Sequence, residues 1–178
     1  MMSVMDRLSG YVRVWNEAGQ SVESHNLVVF TGADIITRLL TGNQAFRIQS
    51  MYFVYENTVG VPTPLVPSRN DVQATFQALV APKDYLRAPI LEPTQLSSTA
   101  VQYQSNQATF LSVTVGTVGA HGVPFGSANN SKVTNVVLLA SPTGLAAGDV
   151  VYASFALPTA IAAAGSGQIS AAWNVRAL

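Results

Sequence analysis

The N-terminal part of the chain alternates apolar and polar residues in a way that predicts two paired strands. In GYVRVWN, Val12 and Val14 fall on one side, whereas the opposite side carries Tyr11, Arg13 and Trp15. A period of two residues is that of a strand whose two faces differ in environment. The turn-forming stretch EAGQ follows, and SVESHNLVVF then resumes the extended pattern. We therefore expect a β-hairpin at this end of the chain.

One helix is predicted after the hairpin. Its apolar stripe has helical spacing and consists of Ile35, Ile36, Leu39 and Leu40. Thr31 is placed to cap the first turn, Asp34 stands in the capping-box position, and Gly42 is placed to end the helix. The pattern predicts a short α-helix near residues 32–41.

Further strands are predicted in IQSMYFVYEN, NQATFLSVTVG, KVTNVVLLAS, DVVYASFALP and QISAAWNVRAL. In the last of these, Trp173 falls on the apolar side and Arg176 on the polar side. The 26 uncharged residues from Val150 to Val175 are long enough to span a bilayer as a helix. Pro158, the GSG stretch and the period of two instead favour two strands joined by a loop from Pro158 to Gly167.

Two segments in the middle of the chain are less regular. TVGVPTPLVPSRN carries three prolines and predicts an extended loop. In NDVQATFQALV, the apolar positions fit a helix and also fit an alternating strand, so residues 70–80 stay open between the two.

Taken together, the patterns predict one mainly β domain over residues 1–178, a β-sandwich of the jelly-roll type with one short helix.

The composition narrows the classes of partner. Nine Lys and Arg balance nine Asp and Glu, so there is no net positive charge to attract nucleic acid. Only 10% of the residues are charged, against about 25% in typical soluble proteins. From residue 93 onward only Lys132, Asp149 and Arg176 are charged. A surface with so little charge favours association, so we expect a homo-oligomer or an assembly with other proteins, and no membrane partner.

Chemistry-bearing patterns are scarce. There are no cysteines, and the two histidines, His25 and His121, lack metal-ligand spacing. No nucleophile-elbow pattern is present, and the glycine-rich GTVGAHGVPFG lacks the Lys-Ser/Thr of a phosphate-binding loop. We therefore expect no catalytic residue, metal or cofactor, and a flexible loop at that glycine-rich stretch. The candidate interface residues are three aromatics in terminal strands, Tyr11, Trp15 and Trp173. The terminal strands themselves are candidates for joining the sheet edge of a neighbour.

The order of several segments resembles small structural virion proteins of tailed bacteriophages. These segments are NLVVFTGADIITRLLTG, IQSMYFVYENT, DYLRAPI, NQATFLSVTVG, SKVTNVVLLASPTG and GDVVYASFAL. The resemblance implies a non-enzymatic building block of the virion, assembled in the host cytoplasm. It implies first a capsid decoration (cement) protein bound to the major capsid protein, and as an alternative a small tail, baseplate or fibre-attachment protein. From the residues alone, a carbohydrate-binding β-sandwich module is a third hypothesis.

Overall fold

The computed structural model describes residues 8–42, 46–90, 94–97, 100–104, 117–163 and 168–177. Within these residues the strands are β1 (Leu8–Asn16), β2 (Ser21–His25), β3 (Leu27–Val28), β4 (Arg47–Asn57), β5 (Lys83–Pro89), β6 (Thr94–Ser97), β7 (Ala100–Gln104), β8 (Thr117–Val118), β9 (Pro124–Phe125), β10 (Ser131–Ser141), β11 (Val150–Ala162) and β12 (Ile169–Ala177). The helices are α1 (Phe30–Leu40) and α2 (Gln73–Gln77), with short 3-10 turns at Ser127–Asn129 and Ala146–Gly148.

Two five-stranded sheets build the molecule. Sheet 1 has the strand order β2-β1-β12-β7-β6, sheet 2 has the order β3-β11-β10-β4-β5, and β8 and β9 pair separately. The predicted N-terminal hairpin is confirmed, because β1 and β2 pair antiparallel from Tyr11 opposite His25 to Trp15 opposite Ser21. The predicted strand at NQATFLSVTVG, residues 106–116, lies outside the described residues.

The main core lies between the two sheets. Sheet 1 contributes Val12, Val14, Ile169, Ala171 and Trp173, and sheet 2 contributes Met51, Phe53, Tyr55, Val136, Leu138 and Phe155. These side chains sit at alternate positions of their strands, as a buried face requires. The predicted mainly β sandwich is therefore confirmed. The strand order does not confirm the jelly-roll type, since β10 and β11 follow each other in sequence and form a hairpin within one sheet.

The predicted helix is confirmed as α1, although it begins earlier than expected. Its N-cap is Val29, so Thr31 lies inside the first turn and donates its hydroxyl to the carbonyl of Val151 at 2.5 Å. Asp34 makes an ion pair with Arg38 rather than a capping box. Gly42 follows the helix with φ of 87°, a backbone conformation that glycine adopts without steric cost. Neither helix in the described ranges has the length and apolarity needed to cross a membrane.

The open choice at residues 70–80 resolves as a short helix, α2. Its Phe76 is buried, and the Phe76 and Tyr52 rings meet edge to face with their centres 5.9 Å apart. Phe76 joins a second apolar cluster on the outer face of sheet 2, with Tyr52, Val54, Val137, Leu139 and Val151. Residues 58–82 thus form a third layer over sheet 2, in which Leu65, Phe76 and Leu79 pack against the outer cluster.

Strand β11 corrects the predicted loop from Pro158 to Gly167. The strand continues through Pro158 to Ala162, and residues 164–167 lie outside the described part. The pairing of β10 with β11 shifts register between Val133, opposite Ile161, and Asn135, opposite Ala156. Pro158 falls within this irregularity, where a proline does not remove a ladder hydrogen bond.

Candidate functional site

The three aromatic residues predicted as interface anchors lie in two different places. Tyr11 and Trp15 lie on the outer face of sheet 1, where Tyr11 is 38% exposed and Trp15 is partly exposed. Trp173 is 0% exposed and packs between the sheets. The assignment of Trp173 to an interface is wrong, because the apolar side of β12 faces sheet 2. Tyr11 and Trp15 stay predicted interface residues.

The terminal strands do not offer edges to a neighbour. β1 pairs with β2 on one side and β12 on the other, and β12 pairs with β1 and β7. From Tyr11 to Trp15 and from Ala172 to Arg176, the main-chain hydrogen-bonding groups on both sides are therefore used by these neighbours. Over these residues, the prediction that β1 and β12 add to a partner's sheet is wrong.

The outer face of sheet 1 holds a shallow hollow of about 400 Å³, which we call the aromatic face. Its lining residues come from β1, β2, β7 and β12 and are Tyr11, Arg13, Trp15, Glu23, Gln102, Ala172 and Asn174. Ala172 stands opposite Arg13 in the β1–β12 register, and Asn174 stands opposite both Tyr11 and Gln102. The short alanine side chain among longer ones creates the depression.

Side chains of the aromatic face contact one another. The Tyr11 hydroxyl donates to Glu23 Oε2 at 2.5 Å, and this hydrogen bond is the main reason that the pKa of Tyr11 is raised. Arg13 Nε lies 3.3 Å from Glu23 Oε1, and the Arg13 guanidinium carbon lies 5.5 Å from the Trp15 ring centre. The Arg13 charge is thus balanced within the face by Glu23.

The opposite side of the sandwich carries a different surface. Residues 58–67, the valine loop, run over the outer face of sheet 2 and display three valines: Val59 is 88% exposed, Val61 93% and Val66 88%. Half of the ten exposed large hydrophobic residues among the described positions are valines between residues 59 and 80. Apolar exposure is therefore concentrated in the layer that covers sheet 2.

Side chains of sheet 2 fix the backbone of the valine loop. Asn135 accepts from the Leu65 N–H at 3.0 Å and donates to the Leu65 carbonyl at 2.8 Å. Lys83 donates to the Thr63 carbonyl at 2.6 Å, and Lys132 donates to the Gly60 carbonyl at 2.5 Å. Pro62 is buried, and the two further prolines, Pro64 and Pro67, limit the backbone freedom of the loop. The exposed valines are thus held on an ordered scaffold.

A groove of about 450 Å³ lies beside the valine loop. Val61, Pro62 and Pro64 form part of it from the loop, and Leu157, Pro158 and Lys132 form part of it from β11 and β10. Lys132, the cation of this lining, is engaged with carbonyl groups of the loop. The groove therefore offers mainly apolar contact to an incoming surface.

A second cleft, of about 660 Å³, lies between α2, β5 and the loop between β10 and β11. Arg87 at its wall makes two hydrogen bonds to the buried carboxylate of Asp149, and the Tyr52 hydroxyl donates to the same carboxylate at 3.4 Å. Burial, reinforced by Asp149, raises the pKa of Tyr52 to about 12, while the hydrogen bond from Gln73 lowers it. The hydrogen bond to Asp149 raises the pKa of Arg87. The polar groups of this cleft mainly bind one another and so hold its walls together.

The glycine-rich stretch is more ordered than predicted over its described part. β8 and β9 form a small hairpin, and the backbone N–H groups of His121 and Val123 donate to the fully buried carboxylate of Asp84, both at 2.9 Å to Oδ2. The Tyr85 N–H donates to the other oxygen at 2.7 Å. The backbone of this loop therefore binds the Asp84 carboxylate of the same chain. The spacing of the glycines did not predict this contact.

In the described part of the chain, the acidic residues and histidines do not form a cluster. Within the described ranges, no group of three or more His, Cys, Asp or Glu residues could hold a metal ion. His121 is exposed, its Nε2 lies 3.1 Å from the Phe76 carbonyl, and its ring meets Tyr85 edge to face.

Comparison of the chain with protein-family models, with curated proteins and with solved structures gives no match. The two outer faces of the sandwich are therefore the candidate functional surfaces of the described residues.

Proposed function

We propose that this chain is a non-enzymatic structural protein of a tailed-bacteriophage virion, a capsid decoration protein that attaches across neighbouring capsid subunits through the valine loop. The observation that carries the proposal is the exposure of Val59, Val61 and Val66 on a backbone fixed by Asn135, Lys83 and Lys132. Exposed apolar groups on an ordered loop favour association, because little conformational entropy is lost when they become buried.

The scarcity of charge supports the same proposal. The cations that face the valine loop, Lys83 and Lys132, donate to its carbonyl groups, and Lys83 Nζ also lies 3.6 Å from Glu56 Oε2. The loop surface is therefore apolar and close to neutral, which fits a protein neighbour. A weak contact of this kind, repeated over many equivalent positions of a shell, stabilises the shell by its multiplicity.

Reconstitution on virus particles tests the proposal. Particles that lack the protein are mixed with the purified chain and sedimented, and the bound copies are counted against the major capsid protein. Decoration predicts saturable binding at a copy number in the hundreds. A copy number of three, six or twelve assigns the chain to the tail or baseplate, and failure to co-sediment at any ratio rejects both virion assignments.

Variants of the valine loop locate the contact. V61D and V66D place a carboxylate where we propose an apolar interface, and each is expected to weaken particle binding by at least about tenfold. Because both valines are almost fully exposed, these variants should keep the thermal stability of the wild type. A18D, which adds the same charge at the exposed turn between β1 and β2, is the matched control and should bind normally.

A further inference from the structure

The aromatic face lies on the side of the sandwich away from the valine loop. The valine loop covers the outer face of sheet 2, whereas Tyr11 and Trp15 project from the outer face of sheet 1. The inner faces of the two sheets share one core, so the two outer faces point in opposite directions. A chain attached through the valine loop would therefore leave the aromatic face open to solution.

The shape of the aromatic face suits a ligand the size of a few ring units. Cross-strand register places His25, Tyr11, Asn174 and Gln102 in one row over β2, β1, β12 and β7. With strands about 4.8 Å apart, such a row is about 14 Å long. Ala172 in the neighbouring row forms the low point, and the longer side chains rise around it.

The chemistry of the lining combines aromatic rings with hydrogen-bonding groups. Tyr11 and Trp15 supply ring surface, Glu23 supplies a carboxylate, and Gln102 and Asn174 supply amides. Aromatic rings pack against the apolar C–H side of a sugar ring, while carboxylate and amide groups bind its hydroxyls. A purely apolar ligand would leave the carboxylate and amides unsatisfied.

Two further observations limit the class of ligand. Arg13 and Glu23, the charged residues of the described lining, form an ion pair, so this lining does not favour a phosphate or another strong anion. Asn174 Oδ1 is buried and has no hydrogen-bond partner among the described residues. Buried polar atoms are normally paired, so the unpaired Asn174 oxygen is an acceptor that a hydroxyl donor of a ligand would satisfy.

We infer that the aromatic face binds a neutral saccharide, with Tyr11 and Trp15 packing against sugar rings and Asn174, Gln102 and Glu23 binding hydroxyl groups. This inference does not rest on the virion assignment. A V61D protein that no longer binds particles is expected to bind saccharide as the wild type does, so that the two proposals can fail separately.

The test begins with the full-length chain on an array of neutral and acidic oligosaccharides, followed by fluorescence titration with each neutral oligosaccharide that binds. Trp15 lies in the proposed site and Trp173 is buried in the core, so a change in emission on titration is expected to come from Trp15. Y11A and W15A are each expected to weaken saccharide binding by at least about tenfold. Because W15A lacks the fluorescent reporter, its affinity is measured by calorimetry. W15F keeps an aromatic ring, so its loss should be smaller than that of W15A.

F30A, which changes an exposed aromatic residue of α1, is the matched control and should bind saccharide normally. Q102A changes only a partly exposed amide and gives a second, mild probe if W15A does not fold. An array without a neutral binder, or affinities that Y11A, W15A and Q102A leave unchanged, would overturn the inference. Loss of particle attachment in W15A would instead assign this face to a protein partner and would also overturn it.

Discussion

Arg87 and Asp149 form a two-point ion pair that ties the edge strand β5 to the loop between β10 and β11. Arg87 Nε lies 2.7 Å from Asp149 Oδ2, and Nη2 lies 3.0 Å from Oδ1. The Asp149 side chain is fully buried, and that of Arg87 is 27% exposed. Arg87 Nη2 also donates to the Gly144 carbonyl at 3.0 Å, so one guanidinium holds both the start of β11 and the preceding turn.

Removal of the Asp149 charge should therefore destabilise the protein. In D149N, the half-buried guanidinium of Arg87 loses its counter-ion, and we expect the free energy of unfolding to fall by about 3 kcal/mol. Urea denaturation followed by circular dichroism measures this change. D34N is the matched control, since it breaks the exposed ion pair with Arg38 and should cost less than about 0.5 kcal/mol. Equal losses in the two variants would show that Arg87 does not depend on Asp149.

Gly119 is expected to be intolerant of any side chain. A Cβ at this position would lie 2.4 Å from Asp84 Cγ and 2.4 Å from the Tyr55 hydroxyl oxygen, both of which are buried. G119A should therefore displace the β8–β9 hairpin from Asp84 and lower the free energy of unfolding by about 2 kcal/mol. Hydrogen exchange should accelerate at the His121 and Val123 amides, which donate to Asp84.

The control for G119A is G60A. The nearest atom to a Cβ at Gly60 is Thr58 Oγ1 at 3.7 Å, which is ordinary contact distance. G60A is thus expected to keep the stability of the wild type. If G119A were as stable as G60A, the close approach of the hairpin to Asp84 would be refuted.

The alternation of residues in the sequence was sufficient to predict the faces of several strands, and insufficient to identify what each face contacts. Val12 and Val14 were correctly separated from Tyr11 and Arg13, and Trp173 was correctly placed on the apolar side of its strand. That side faces the second sheet rather than a partner. Packing against a second sheet and packing against a partner protein bury the same apolar side of a strand, so the periodicity of the sequence does not distinguish the two.

The long-range polar contacts could not be predicted from local spacing. Asp84 binds backbone groups about 37 residues away, and Asp149 binds Arg87, which is 62 residues away. Asp84 lies at the start of β5, and Asp149 directly precedes β11. An acidic residue at the start of a strand is as often exposed in a turn as buried, so its position in the sequence does not predict burial. The exposed valines were missed for a different reason: valine is usually buried, and only the third layer over sheet 2 shows that Val59, Val61 and Val66 point outward.

High pH should destabilise the protein through Tyr52. Its pKa is about 12 in the folded protein against an ordinary value of 10, so the unfolded chain loses the phenol proton first. The stabilisation is complete below pH 10 and is lost as the pH rises toward 12, by up to about 3 kcal/mol from this residue. The contribution of Tyr52 to the unfolding free energy should be constant from pH 9 to about pH 10 and should fall from there to pH 12.

Y52F tests the assignment of that pH dependence. It removes the titrating hydroxyl, so the decline between pH 10 and 12 should become shallower, with Tyr55 and Tyr85, whose pKa values burial also raises, supplying the remainder. Phenolate absorbance of the folded protein should show one fewer late-titrating tyrosine. An unchanged slope in Y52F would assign the alkaline loss of stability to other groups.

The last prediction concerns Asn135, which connects the fold to the proposed attachment surface. Its fully buried amide accepts from the Leu65 N–H and donates to the Leu65 carbonyl. N135A leaves both backbone groups of Leu65 without this partner, so the free energy of unfolding should fall by about 1 to 2 kcal/mol. Hydrogen exchange across residues 58–67 should accelerate, while the exposed valines themselves are unchanged.

If an ordered valine loop is what binds the particle, N135A should also weaken particle binding at a temperature where the protein is still fully folded. The loop would then have to be ordered again on binding, at a cost in conformational entropy. N70A, in the same layer but at an exposed side chain, is the matched control and should change neither exchange nor binding. Faster exchange in N135A with undiminished binding would show that the valines act without the support of sheet 2.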